Sequence, residues 1–88
     1  MKKININELK PEYNIIDIRS YESYNLGHIY NARNIDMNLL INYPEKYLNK
    51  NETYYIYCKS GYRSNKCCLE LSIKGYDVVD AGGYDDYF

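Results

Sequence analysis

Cys58, Lys59, Ser60, Gly61, Tyr62 and Arg63 are the residues of this chain whose types and order could do chemistry. A cysteine thiolate is a strong nucleophile. Lys59 and Arg63 place positive charge beside it, which suits an anionic substrate. Gly61 permits a tight turn that aims several backbone amides at one point. The chemistry implied is attack by sulfur on a small anion, with N–H groups holding the negative charge that results.

The flanking sequence decides whether that chemistry has a frame. Thr53-Tyr54-Tyr55-Ile56-Tyr57 reads as a buried strand, and residues 64–74 read as a helix stopped at Gly75. Cys58 therefore falls at a strand tip, on a loop leading into a helix. The first N–H groups of a helix have no intrahelical partner, and the macrodipole adds partial positive charge there. A thiol in that position is pushed toward thiolate.

The rest of the chain supplies the scaffold. Residues 4–6 read as a short first strand, and residues 7–11 as one helical turn stopped by Pro11. Asn14-Ile15-Ile16-Asp17-Ile18 is an apolar run of the kind found in strands buried on both faces. Ser20 caps a short helix over residues 21–25, which Gly27 ends. Residues 32–35 form a weak strand, Asp36 caps a helix over Met37–Asn42, and Pro44 opens a further turn to Leu48. Asp77-Val78-Val79-Asp80 is the last strand, and Gly82-Gly83 turns the chain. Short strands alternating with helices predict an α/β fold, a parallel sheet with helices on both faces. Ligands in such sheets bind at the carboxyl ends of the strands, where Cys58 lies.

Composition narrows the classes of function. Eighty-eight residues suit one domain, here residues 1–88, with no repeats or linker. A formal net charge of -1 points to no nucleic-acid partner and no membrane partner. Met1-Lys2-Lys3 is followed by no long apolar run, so a cytoplasmic location is expected. Three cysteines, two of them adjacent, make no disulfide framework, and a reducing compartment suits a free reactive thiol.

Taken in order, these pieces resemble a single-domain rhodanese, a sulfurtransferase family. Asp17-Ile18-Arg19 with Glu22 resembles the family's early strand-to-helix segment. Gly27-His28-Ile29, Ala32 and Asn34-Ile35 resemble its next segment, and Cys58 to Ser64 resembles its C-x-x-G-x-R-S active-site loop. Leu71, Gly75-Tyr76 and Gly82-Gly83 resemble its later packing and turn positions. The resemblance implies about five parallel strands flanked by helices, with the active loop after the fourth. It implies that Cys58 takes the outer sulfur of a small anionic donor such as thiosulfate and holds it as a persulfide. A protein thiol, a small-molecule thiol or cyanide then accepts it. The amides from Lys59 to Arg63 hold the persulfide's charge, and the resemblance implies no metal and no organic cofactor. Tyr30 and Asn31 replace the family's usual Pro and Gly, Asn being tolerant of left-handed backbone. Tyr87 replaces a common Trp, and the family's closing helix is expected to be short or missing after Phe88.

Other candidate residues have two readings each. Ser64, Cys67, Cys68 and Leu71 make one helical stripe, which reads as core; the alternative is a resolving thiol for oxidised Cys58. His28, the one histidine, is a general base or part of a structural turn, and the matched segment favours the turn. Asp17, Arg19 and Glu22 read as a structural ion-pair and hydrogen-bond set rather than a substrate site. The tyrosines read as core and surface filler, with Tyr62 lining the pocket. Two other functions compete with sulfur transfer. One is a cysteine-dependent phosphatase or arsenate reductase, but the four residues between Cys58 and Arg63 are one fewer than that loop needs. The other is a non-enzymatic interaction module, against which the presence of Cys58 argues.

Overall fold

The computed structural model describes residues 1–87. Its strands are β1 (Lys2–Lys3), β2 (Asn14–Asp17), β3 (Arg33–Asn34), β4 (Thr53–Cys58) and β5 (Asp77–Gly83). Its helices are α1 (Tyr21–Leu26), α2 (Met37–Asn42) and α3 (Tyr62–Ile73), with 3₁₀ turns at Ile6–Glu8, Pro44–Lys46 and Tyr84–Asp86. The strands form one sheet in the order β1-β5-β4-β2-β3, and every pair is parallel.

Alternate residues of the central strands serve opposite faces, as the two-residue strand period requires. Ile16, Ile56 and Val78 share a core with Leu40 of α2 and with Cys67, Cys68 and Leu71 of α3. Ile15, Tyr57 and Ala81 share the other with Ile6 and Ile29, against which Tyr24 of α1 and Tyr84 pack. Helices therefore cover both faces of the sheet. Chain order then determines where a crevice opens. From β2 the chain moves outward to β3, while from β4 it moves the other way to β5. The reversal between β2 and β4 leaves an opening at their carboxyl ends, the usual ligand position in open parallel sheets.

Several boundaries differ from the sequence reading. The first strand is Lys2–Lys3, not residues 4–6, and the turn after it is Ile6–Glu8, not residues 7–11. Asn5 caps that turn: its side chain accepts the Asn7 N–H at 2.8 Å, while the Glu8 carboxylate accepts the Asn5 N–H at 2.6 Å. This reciprocal capping outweighs extension of the Ile4–Ile6 alternation. Gly82 and Gly83 do not turn the chain; they end β5, with Gly83 opposite Cys58 after a register shift. Helix α3 begins at Tyr62, two residues before Ser64, because Gly61 is its N-cap. The caps at Ser20 and Asp36 form as expected, accepting the N–H groups of Ser23 and Leu39. Asn31 takes the left-handed conformation, with φ 68°. Near the chain end the Tyr84–Asp86 turn follows β5, and Tyr87 stacks on Tyr84; Phe88 lies outside the described residues. Among the described residues no helix is long and apolar enough to cross a membrane.

One polar cluster is sealed between β2 and β4. Asp17 is fully buried. Its carboxylate accepts from Arg19 Nη2 at 2.7 Å, from the Arg19 N–H at 2.8 Å and from the Tyr57 hydroxyl at 2.6 Å. Arg19 also donates to the Gly27 carbonyl at 2.6 Å and lies 4.1 Å from the Tyr84 ring centre. Burial, then the bond to Asp17, pushes the Tyr57 hydroxyl well above its ordinary value. Glu22 does not join this set. It is exposed in the first turn of α1, a helix with no buried residue.

Two predictions follow from this packing. Arg19→Met leaves the Asp17 charge buried without its cation and is expected to cost about 3–5 kcal/mol. A denaturant midpoint unchanged from wild type would contradict the pairing. Cys67 and Cys68 are fully buried, and replacing both with Ala is expected to cost roughly 1–3 kcal/mol at neutral pH. Burial pushes Cys67 from the ordinary 9.0 up to about 12, and Cys68 up as well. The folded chain thus holds both thiols protonated where the unfolded chain ionises. That contribution is intact below pH 9.0 and is lost as pH rises toward about 12. Stability of the double variant should therefore fall less steeply than wild type above pH 9.0, and equal slopes would contradict the burial.

Candidate active site

Cys58 is the last residue of β4, and only Lys59, Ser60 and Gly61 separate it from α3. Gly61 adopts φ 96° and ψ -13°, a left-handed conformation that turns strand into helix within one residue. This geometry returns the chain over the cysteine. Cys58 Sγ accepts the N–H of Gly61 at 3.0 Å and the N–H of Ser64 at 3.3 Å. Ser64 is the third residue of α3, whose N–H a helix cap ordinarily satisfies from the N-cap side chain. Gly61 has no side chain to offer. The sulfur stands in as that acceptor, so the helix terminus and the thiol complete each other.

The loop rests on the end of β5. A Cβ at Gly83 would lie 2.6 Å from the Lys59 carbonyl oxygen and 2.6 Å from the Ser60 carbonyl carbon, so the two backbones meet only because Gly83 has no side chain. The Asp85 N–H donates to the Lys59 carbonyl at 3.0 Å. Behind the loop, Ser64 Oγ donates to Asp80 Oδ1 at 2.7 Å, and the Gly82 N–H donates to the same oxygen at 3.0 Å. Sequence reasoning missed the role of Asp80 and read Ser64 as the end of the loop motif and part of a core stripe, not as its partner. The bond joins residues 64 and 80, and nothing local in either segment announces it.

A cleft of about 390 Å³ opens at the reversal point between β2 and β4. Ile18, Arg19 and Ser20 form one wall; Lys59, Ser60, Tyr62 and Arg63 form the other, with Cys58 between them. Cys58 is 2% exposed, whereas Lys59, Ser60, Tyr62 and Arg63 are exposed. Among the described residues no carboxylate forms an ion pair with Lys59 or Arg63. Arg19 differs: its guanidinium is engaged by Asp17 and Gly27. Gly61 shapes the loop rather than lining the cleft. His28 stands apart at the end of α1, its Nδ1 2.9 Å from the Tyr24 carbonyl and its ring stacked on Tyr24 at 3.8 Å. Glu22 does not line the cleft either. Among the described residues no group of three or more His, Cys, Asp or Glu side chains could hold a metal ion. The arrangement thus offers one sulfur nucleophile, two inward N–H donors and two free cations at the mouth.

The glycine platform gives a direct test. Gly83→Ala must push the loop backbone away and is expected to cost about 3 kcal/mol. Gly83 has an ordinary extended backbone at φ -117°, whereas Gly82 has positive φ, at 81°, and a Cβ there meets nothing within 4 Å. Gly82→Ala should therefore cost only the left-handed strain of about 1–2 kcal/mol. Equal losses in chemical denaturation, or a larger loss at Gly82, would contradict the close approach.

The chain matches the model of the Rhodanese-like domain over residues 2–88. Among curated proteins there is no significant match. A solved protein from Staphylococcus saprophyticus subsp. saprophyticus is 36% identical, with TM-score 0.88 over 100% of this chain and 94% of that one. A rhodanese-like domain protein from Staphylococcus aureus is also 36% identical, with TM-score 0.82 over 100% of this chain and 92% of that one. A rhodanese from E. coli, solved with anions, is 33% identical, with TM-score 0.75 over 84% of this chain and 89% of that one. A five-stranded parallel sheet with a cysteine loop after the fourth strand and a family match across nearly its whole length make this chain a member of the rhodanese-like domain family.

Proposed function

We propose that this protein is a sulfurtransferase that carries sulfane sulfur as a persulfide on Cys58. The observation that carries the reading is the pair of N–H groups from Gly61 and Ser64 on Cys58 Sγ, at 3.0 and 3.3 Å. Those donors hold negative charge at the sulfur as it attacks and as the persulfide forms.

The first step is displacement at sulfur. The Cys58 thiolate attacks the outer sulfur of thiosulfate, a sulfur–sulfur bond forms, and sulfite leaves with the electron pair of the bond that breaks. Cys58 then bears a persulfide anion, and charge is conserved. In the second step a thiolate or cyanide attacks the terminal sulfur and Cys58 leaves as thiolate. The product is a new persulfide or thiocyanate. Neither step needs an electron carrier. Lys59 and Arg63 draw the anionic donor to the mouth of the cleft, Ser60 and Tyr62 border it, and the loop amides hold the charge. The anions in the E. coli relative's structure suit such a role. A reducing compartment such as the cytoplasm keeps Cys58 free.

The phosphatase reading fares worse. The three-residue connection places two amides on the sulfur and leaves Arg63 exposed in the first helical turn. A phosphoryl group needs a wider ring of donors and an arginine folded over it. The test is thiocyanate formation from thiosulfate and cyanide. Wild type should turn over and Cys58→Ser should not, with its melting transition retained. Substantial turnover by Cys58→Ser would remove the persulfide carrier, and hydrolysis of an aryl phosphate that depends on Cys58 would favour a phosphatase instead.

A further inference from the structure

A buried carboxylate stands behind the sulfur's cradle, and sulfur transfer as described gives it no task. Asp80 is 5% exposed, and among the described residues no cation forms an ion pair with it. Burying a lone carboxylate is costly unless hydrogen bonds hold it. Three donors do: Ser64 Oγ at 2.7 Å, the Gly82 N–H at 3.0 Å and, more distantly, Asn65 Nδ2 at 3.4 Å. Two of these belong to the first turn of α3, and the third to the strand end on which the loop rests.

Ser64 is the link. Its N–H points at Cys58 Sγ, and its Oγ–H points at Asp80. A serine in the first helical turn can instead direct its hydroxyl to a backbone carbonyl, and those of Gly61 and Gly82 lie at 3.1 and 3.3 Å. The bond to the carboxylate is the shortest of the three, and a charged acceptor makes it the strongest. We propose that Asp80 is a positioning residue for sulfur transfer, clamping Ser64 so that its N–H stays aimed at the Cys58 sulfur. The assignment rests on the sulfurtransferase reading. An apolar side chain would fill this strand position without desolvating a charge; what the carboxylate adds is a fixed direction for one of the sulfur's two donors.

The test uses Asp80→Asn, Asp80→Leu and Ser64→Ala in the full chain. Asn keeps an acceptor for the Ser64 hydroxyl and the Gly82 N–H; Leu keeps none. Asp80→Leu and Ser64→Ala should each lower kcat for transfer from thiosulfate by about 10-fold or more, with KM little changed. The double variant should be no slower than the slower single one, because both remove the same bond. Asp80→Asn should recover kcat to within about 3-fold of wild type. Should Asp80→Leu fail to fold, Ser64→Ala and Asp80→Asn alone decide the matter, the first losing rate and the second keeping it. Losses that multiply in the double variant, or an Asn variant as slow as the alanine, would overturn the clamp.

A second readout needs no turnover. Amide exchange at Ser64, followed by NMR, should speed by about 10-fold in Ser64→Ala relative to the Leu71 amide of the same helix, but not in Asp80→Asn. Unchanged relative exchange in Ser64→Ala overturns the clamp even if sulfur is transferred. Wild type that transfers no sulfur, with exchange changed as expected, overturns the sulfurtransferase reading and leaves the clamp standing.

Discussion

Between Cys58 at the end of β4 and Tyr62 at the start of α3 the chain has three residues in which to turn back and aim N–H groups at one sulfur. So short a connection leaves little choice. The turn must pass through a left-handed residue, which only glycine adopts without strain, and Gly61 stands there. The backbone must also come down onto the next strand, and Gly83 is the position where it does. The register shift between β4 and β5 brings Cys58 opposite Gly83, so even the sheet pairing accommodates the loop. The sulfur is thus a structural part of the helix terminus.

Two buried carboxylates flank the central strand, one on each neighbour. Asp17 lies on β2 opposite Tyr57, and Asp80 lies on β5 opposite Ile56. Their solutions to burial differ. Asp17 holds a cation, Arg19, and a phenol, Tyr57. Among the described residues, Asp80 holds only neutral donors, a hydroxyl and an amide foremost. The Nε and Nη2 groups of Arg19 are thereby engaged, although the residue lines the cleft. Among the described residues, the positive charge not paired at the mouth belongs to Lys59 on the loop and Arg63 in the first turn of α3.

Much of this frame was legible because it is written locally. Asn14-Ile15-Ile16 and Tyr54-Tyr55-Ile56 are short apolar runs bounded by polar residues, and Ser20 and Asp36 precede helices that they do cap. The cysteine loop was legible from glycine and cations between a strand and a helix. What escaped was long-range. Gly82-Gly83 looks like a turn to any local reading, and its use as a platform depends on a loop about twenty residues earlier in the chain. The α3 start was placed late because Gly61 carries no capping side chain, and the true cap acceptor is a sulfur three residues before it. Tyr57 reads as an apolar strand residue, while its hydroxyl is the third member of the Asp17 cluster. Glu22 follows Arg19 closely in sequence, yet helix α1 turns it toward solvent. Local propensity identifies elements; pairing across the sheet determines which side chains meet.

Sulfur transfer through this loop requires that Cys58 itself carry the sulfur. Intact-mass measurement of the reduced protein after incubation with thiosulfate, followed by peptide mapping, answers that. One added sulfur atom is expected, on the peptide containing Cys58, lost again on addition of a small thiol and never gained by Cys58→Ser. An unmodified mass under turnover conditions, or sulfur mapped to Cys67 or Cys68 instead, would contradict it.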